Sequence, residues 1–292
     1  MKRQMKKHMD LFLELGKVRI SMLATISMIT GYILAYGNVS VSLIFLVAGV
    51  FLLACGSATV NHLQDQSVDS RMQRTRGRPL PAGRVTRRYA WVVAVVSVCV
   101  GCALILAAGN ATAALLGLAA IFWYNAVYTP LKRVTAFAAV PGGIVGAIPP
   151  VIGWTAGGGA VLDPRILAVA FFFFVWQVPH FWLLLLFTAG KDYERAGMPS
   201  LTRIFGLDQL ARITFMWIFA TAVTCLVIPL FGIILHAWVN IGLLGAGLWL
   251  VVRTAKILRR PASAISFRLA FRQINLYVCW VISLLAANGI VG

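Results

Sequence analysis

Asn61-His-Leu-Gln-Asp65-Gln-Ser-Val-Asp69-Ser-Arg71-Met-Gln-Arg74-Thr-Arg76-Gly-Arg78-Pro-Leu80 follows directly on a long apolar run and holds two of the chain's eight acidic residues. Asn61, Asp65 and Asp69 stand at i, i+4 and i+8. If the helix continues past the apolar run, they drift by about 40° and rise by about 6 Å per step, which lines three oxygen ligands along one face. Oxygen ligands suit Mg²⁺, which is commonly held by one or two carboxylates together with substrate phosphates. The arginines behind them suit the phosphate oxygens. The simpler reading is a solvated loop whose acids pair with nearby arginines, each pair worth about 0–1 kcal/mol. Scarce acids at regular spacing beside membrane depth favour a Mg²⁺–diphosphate site instead.

Outward from this stretch the chain is apolar. Of its 292 residues, 60% are hydrophobic and 12% charged, with a mean hydropathy of +0.87, which predicts an integral membrane protein. Apolar runs near 18–36, 41–61, 89–108, 111–129, 137–156, 165–188, 211–233, 235–252 and 269–290 predict nine transmembrane helices. The expected fold is an all-α bundle. Residues 1–17 read as an uncleaved cytoplasmic tail, with Asp10 and Glu14 among its cations, and 18–292 as the membrane domain.

The net charge of +18 would suit nucleic acid, but its placement excludes that. The 26 Lys and Arg fall in the N-terminal tail and in alternate loops, and Arg165 alone lies in the opposite set. The positive-inside rule then puts the N-terminus and the basic loops on the cytoplasmic side of the cell (inner) membrane. Such a face attracts anionic lipid and anionic substrates. Cys99-Val-Gly-Cys102 falls inside an apolar run without a second pair, so small buried residues are expected there, not a metal site.

Two further loops share the side of the ladder. Lys191-Asp192-Tyr193-Glu194-Arg195 follows helix 6 much as Asp65 and Asp69 follow helix 2, which suggests two repeats with a site between them. Lys132 and Arg133 follow an aromatic cluster, and serve either as cytoplasmic anchors or as phosphate contacts. Gly142, Gly143 and Gly146 before Pro149-Pro150 predict close helix packing and a kink. His180 lies in a span beside Trp176, Gln177 and Pro179, where a histidine is either bonded within the bundle or ligates iron. His62 points about 100° away from Asn61 on a helix, which disfavours ligation.

The Asn61-x₃-Asp65-x₃-Asp69 motif resembles the first aspartate motif of the UbiA superfamily of intramembrane prenyltransferases. Asp69-x-x-Met72-x-Arg74-Thr75-x-x-Arg78-Pro79-Leu80, Tyr128-Thr-Pro-Leu-Lys-Arg133, Gly146-Ala-Ile-Pro149-Pro150, Trp176-Gln177-Val-Pro179-His180-Phe181 and Lys191-Asp192-Tyr193-x-x-Ala196-Gly197-x-Pro199 resemble its haem branch, the protohaem IX farnesyltransferases. The resemblance implies nine spans around a central cavity and farnesyl transfer from farnesyl diphosphate to the 2-vinyl group of haem b, giving haem O. It implies Mg²⁺ on Asn61, Asp65, Asp69 and Asp192, with Arg74, Arg78, Lys132, Arg133 and Lys191 on the diphosphate. It also implies haem near His180, Trp176 and Gln177, membrane lipid around the bundle, and haem A synthase or terminal oxidase assembly proteins downstream. Many superfamily members carry a second Asp-x₃-Asp, whereas here Ala196 stands four residues after Asp192. The alternatives are a related prenyltransferase with an aromatic acceptor and, in another class, an anion transporter, which would tolerate chelation of Mg²⁺ and leave no covalent product.

Overall fold

The computed structural model describes residues 2–108, 110–259 and 264–291, with the side chains at 2–4, 7 and 188–191 outside the described set. The helices are α1 (Lys2–Leu15), α2 (Val18–Tyr36), α3 (Val41–Asp69), α4 (Arg87–Ala107), α5 (Ala111–Leu131), α6 (Ala139–Ala156), α7 (Pro164–Leu184), α8 (Leu207–Val227), α9 (Ala237–Thr254) and α10 (Ala264–Val291). Among the described residues α2 to α10 are long and apolar enough to cross a membrane, and there is no strand.

Local chemistry sets several ends. Thr86 Oγ1 accepts the Tyr89 N–H at 3.2 Å to start α4, and Asn110 Oδ1 accepts the Ala113 N–H at 2.7 Å to start α5. Asp163 caps α7 ahead of Pro164, and Gly37 closes α2 in the left-handed conformation at φ 71°. Polar turns extend the helices past their apolar runs. α3 reaches Asp69, α8 begins at Leu207 and α10 at Ala264, because helical hydrogen bonding persists where hydropathy has already fallen.

The spans pack as a ring. α3 lies along α4, α2 against α6, and α6 against α7, after which α8, α9 and α10 follow in succession and α10 returns to α2. Bare backbone makes the tightest seam. A Cβ on Gly31 would stand 1.9 Å from the Pro150 carbonyl oxygen, and one on Gly153 would stand 1.8 Å from that of Met28. Helices lacking a hydrophobic drive toward each other in lipid rely on such close approach. Pro149 and Pro150 lie inside α6, where each removes a helical donor while the helix stays continuous. Ile44, Leu115, Met216, Ile241 and Val252 are largely exposed on the outside of the ring, as a lipid-facing surface requires. Cys99 and Cys102 are free thiols, but Cys99 is exposed and Cys102 half-buried; this stretch of α4 faces outward, contrary to the expected burial.

Two widened turns were not predicted. α5 is π-helical over Trp123–Tyr128, and α7 continues as a π-helical turn over Leu185–Ala189. An inserted residue rotates everything after it by about 100°.

Candidate functional site

Because α3 runs unbroken to Asp69, Asn61, Asp65 and Asp69 do share one face, and all three are at most 4% exposed. Each is held by a cation from a different part of the chain. Lys17 Nζ donates to Asn61 Oδ1 at 2.6 Å, and Asn61 Nδ2 donates to Thr129 Oγ1 at 2.9 Å. Lys132 pairs with Asp65 Oδ2, and Arg133 Nη2 lies 3.3 Å from Asp65 Oδ1. Arg78 Nη1 donates to Asp69 Oδ2 at 2.7 Å. The π-turn of α5 supplies this geometry. Asn125 Nδ2 donates to Ser57 Oγ at 2.8 Å and Gln64 Nε2 to the Asn125 carbonyl at 3.0 Å, which ties the turn to α3 and leaves Thr129 and Lys132 facing the ladder.

The second loop meets the first. Asp192 Oδ2 accepts the Arg74 backbone N–H at 3.1 Å, and Ala196 and Met198 pack on Met72. Lys191 was expected to contact diphosphate; its side chain lies outside the described residues.

The ladder stands in the wall of a cavity of about 300 Å³. Its polar part carries Lys17, Arg74, Arg78 and Lys132 against Asp65 and Asp69, so four cations face two carboxylates. Its apolar part reaches Val50 and Leu53 on α3, Gly117 and Ile121 on α5, and Ile152 on α6. From Asn61 to Val50 the helix rises about 16 Å. Tyr124 and Tyr128 stack with centroids 5.6 Å apart, and Phe181 lies 5.7 Å from Tyr128, giving the cavity a set of aromatic faces.

Burial, together with Arg78 and Lys132 nearby, pulls the Lys17 ammonium down to about 7. Burial likewise pushes the Tyr193 phenol up, so it stays protonated. The site is crowded with positive charge, and an anion would relieve it. Among the described residues no three His, Cys, Asp or Glu side chains cluster as a self-sufficient metal cage. Two carboxylates and an amide oxygen fit a hard cation that draws its remaining ligands from phosphate.

The residues expected near haem divide. Gln177 lines the cavity, where its Oε1 would lie 2.5 Å from a Cβ on Gly146. Trp176 and His180 are not among the described cavity-lining residues and lie against α10. Trp176 Nε1 donates to the Ile274 carbonyl at 3.3 Å, and His180 Nδ1 lies 2.8 Å from Asn275 Oδ1. The His180 ring lies against Trp176 and Phe271, tilted to each, with centroids at 4.8 and 5.0 Å. His62 is buried, and among the described residues neither of its ring nitrogens has a hydrogen-bond partner.

Sequence reasoning missed Lys17, Thr129 and the cavity tyrosines. Lys17 looked like one more tail cation; the only local signal was its place beside Gly16 at the very start of an apolar run.

Comparison with known proteins gives one answer. The UbiA prenyltransferase family model matches residues 24–276. A protoheme IX farnesyltransferase of Geobacter sulfurreducens is 42% identical over 222 residues, 76% of this chain and 81% of that protein. One of Oleidesulfovibrio alaskensis is 33% identical over 282 residues, 95% of each. In fold, the chain superposes on a digeranylgeranylglyceryl phosphate synthase structure with a TM-score of 0.78 at 16% identity, covering 98% of this chain and all of that one. It superposes on a UbiA homolog from Archaeoglobus fulgidus bound to GPP and Mg²⁺ with a TM-score of 0.68 at 16% identity, covering 94% and 99%. The chain belongs to the UbiA prenyltransferase family.

Proposed function

We propose that this protein transfers a farnesyl group from farnesyl diphosphate to the 2-vinyl group of haem b and, with addition of water, forms haem O. One observation carries the diphosphate half: Asn61, Asp65 and Asp69 meet Lys17, Arg78 and Lys132 at one end of an apolar cavity. Relatives named protoheme IX farnesyltransferase, at 42% and 33% identity, support the acceptor. The structure of a UbiA homolog bound to GPP and Mg²⁺ supports the metal.

Asp65 and Asp69, with Asn61 and Asp192, would hold Mg²⁺, which when bound neutralises charge on the departing diphosphate. Arg78, Lys132 and Arg133 turn from these carboxylates to phosphate oxygens, and Arg74 and Lys191 add charge from the two loops. Tyr124, Tyr128 and Phe181 present π faces to an allylic cation and exclude water from it. The carbon–oxygen bond to diphosphate breaks as the terminal vinyl carbon bonds to the farnesyl carbon. Water then adds at the neighbouring carbon and gives up a proton.

Gln177 would meet haem at the wall. His180 would meet it at the α7–α10 seam, where the bond from Nδ1 to Asn275 would leave Nε2 as the ring nitrogen available to ligate iron. Residues 1–17 and the cavity mouth lie on the cytoplasmic side of the cell membrane, a reading that rests on the alternation of basic loops. Haem A synthase or oxidase assembly proteins would receive the product.

Mass analysis of haems from membranes with and without the protein tests the whole reading. A haem b derivative heavier by farnesyl plus water is expected, and lost on chelation of Mg²⁺; haem b alone in both membranes would overturn it.

A further inference from the structure

Lys17 is unlike the two cavity cations that pair with the ladder's carboxylates. Arg78 and Lys132 each face a carboxylate, whereas the hydrogen-bond partner of the Lys17 ammonium is a neutral amide oxygen. A charge held in a partly buried site without its own counter-charge is costly. Its backbone is costly too. Lys17 has φ 45° and ψ 50°, and among the described residues it is the single non-glycine with positive φ. Such strain at a side chain larger than glycine persists only where the surroundings impose it, and it concentrates at functional positions.

The surroundings do impose it. Gly16 packs so closely on α3 that a Cβ there would lie 2.9 Å from Cys55 Sγ, and Ser21 Oγ donates to the Gly16 carbonyl at 2.7 Å. The corner between α1 and α2 is thus clamped to α3, and the left-handed turn that follows directs the lysine into the cavity. Glycine would satisfy that turn more easily. A lysine there is explained if its charge has work to do.

We propose that Lys17 is a substrate-binding residue whose ammonium holds Asn61 Oδ1 in the unloaded protein and transfers to the diphosphate when substrate binds. The ladder amide is then released toward the metal at the moment the anion arrives. This inference rests on the diphosphate reading given above, and it adds a cation that neither the aspartate motif nor the arginine-rich loop contains.

The experiment uses the full chain in nanodiscs, with inorganic diphosphate and Mg²⁺ as the probe, by calorimetry. Wild type binds the probe; failure to bind would sink the diphosphate reading itself. Lys17→Met and Lys17→Gly are expected to bind it about ten- to hundred-fold more weakly, as befits loss of one charge-assisted hydrogen bond. Lys17→Arg retains most of the affinity. Lys17→Gly also relieves the left-handed turn, so its melting temperature should equal or exceed that of wild type. Mn²⁺ alone, followed by electron paramagnetic resonance, should bind at least as tightly to Lys17→Gly as to wild type, since Asn61 is freed. A stable Lys17→Gly that binds diphosphate as wild type does would overturn the proposal while leaving the wider reading intact.

Discussion

The cavity mouth and the α7–α10 seam both bury polar side chains among aromatic rings, yet they differ in what they leave unmet. At the seam, Trp176 finds the Ile274 carbonyl, His180 finds Asn275, and the rings of Trp176 and Phe271 lie tilted against the imidazole. No net charge is involved. At the mouth, four cations line the wall with two carboxylates, and they come from the α1–α2 corner, the loop after α3 and the end of α5. Their pairs neutralise one another without exhausting the positive charge. Buried polar groups by themselves therefore do not mark a binding site; a charge imbalance that only an outside ion can settle does.

That contrast can be broken at several points. The largest effect is expected from Asp65→Asn or Asp69→Asn, which should lower haem O formation by about 10²–10³-fold, the scale of losing one preorganised electrostatic group. Mass analysis of extracted haems measures it, and unchanged haem O would remove the distinction between the two regions. Next comes the seam that holds the cavity walls together. Gly153→Ala drives a methyl into the Met28 carbonyl and should destabilise the fold by about 2 kcal/mol or more, seen as a lower melting temperature in nanodiscs.

A smaller and sharper test compares two neighbours. Lys132 is 14% exposed and Arg133 40%, although both reach Asp65. Lys132→Met should raise the KM for farnesyl diphosphate about ten-fold and Arg133→Met less than about three-fold, because solvent screens the exposed pair. Equal effects would mean that burial does not rank these cations. The smallest change is expected at the seam. His180→Ala should cost about 1 kcal/mol of stability through its lost hydrogen bond. It should weaken haem b binding in a Soret titration while leaving diphosphate affinity within about two-fold, and a loss of diphosphate binding would join the two regions.

Much of this was legible in one dimension because membranes impose simple rules. A span must be apolar for about 20 residues, so the nine runs could be marked by composition. Asn61, Asp65 and Asp69 declared a shared face through spacing alone, since the helix repeat is a local property. What escaped notice depended on contacts distant in sequence. Lys17 and Asn61 are 44 residues apart, and no periodicity links them; the loops of Asp192 and Arg74, 118 apart, were paired only through their likeness, which left the contact between them unspecified. The π-turn at Trp123–Tyr128 escaped because its residues have ordinary helix patterning; it is tied in place by Ser57, Gln64 and Pro141. His180 shows the reverse limit, a residue whose neighbourhood in the chain suggested the cavity but whose side chain turns to α10.

By itself, then, the sequence determined that the chain is a multi-pass membrane protein, with nine runs that become helices long and apolar enough to cross a membrane among the described residues, and that one helix carries a ladder of oxygen ligands. Both follow from interactions within about a turn or a bilayer's thickness of chain. The tertiary structure alone decided which cation meets which ladder residue, which face of α7 meets the cavity, and that Lys17 joins the site. Those outcomes are set by how rigid helices dock through glycine seams, and docking is a property of all the surfaces at once.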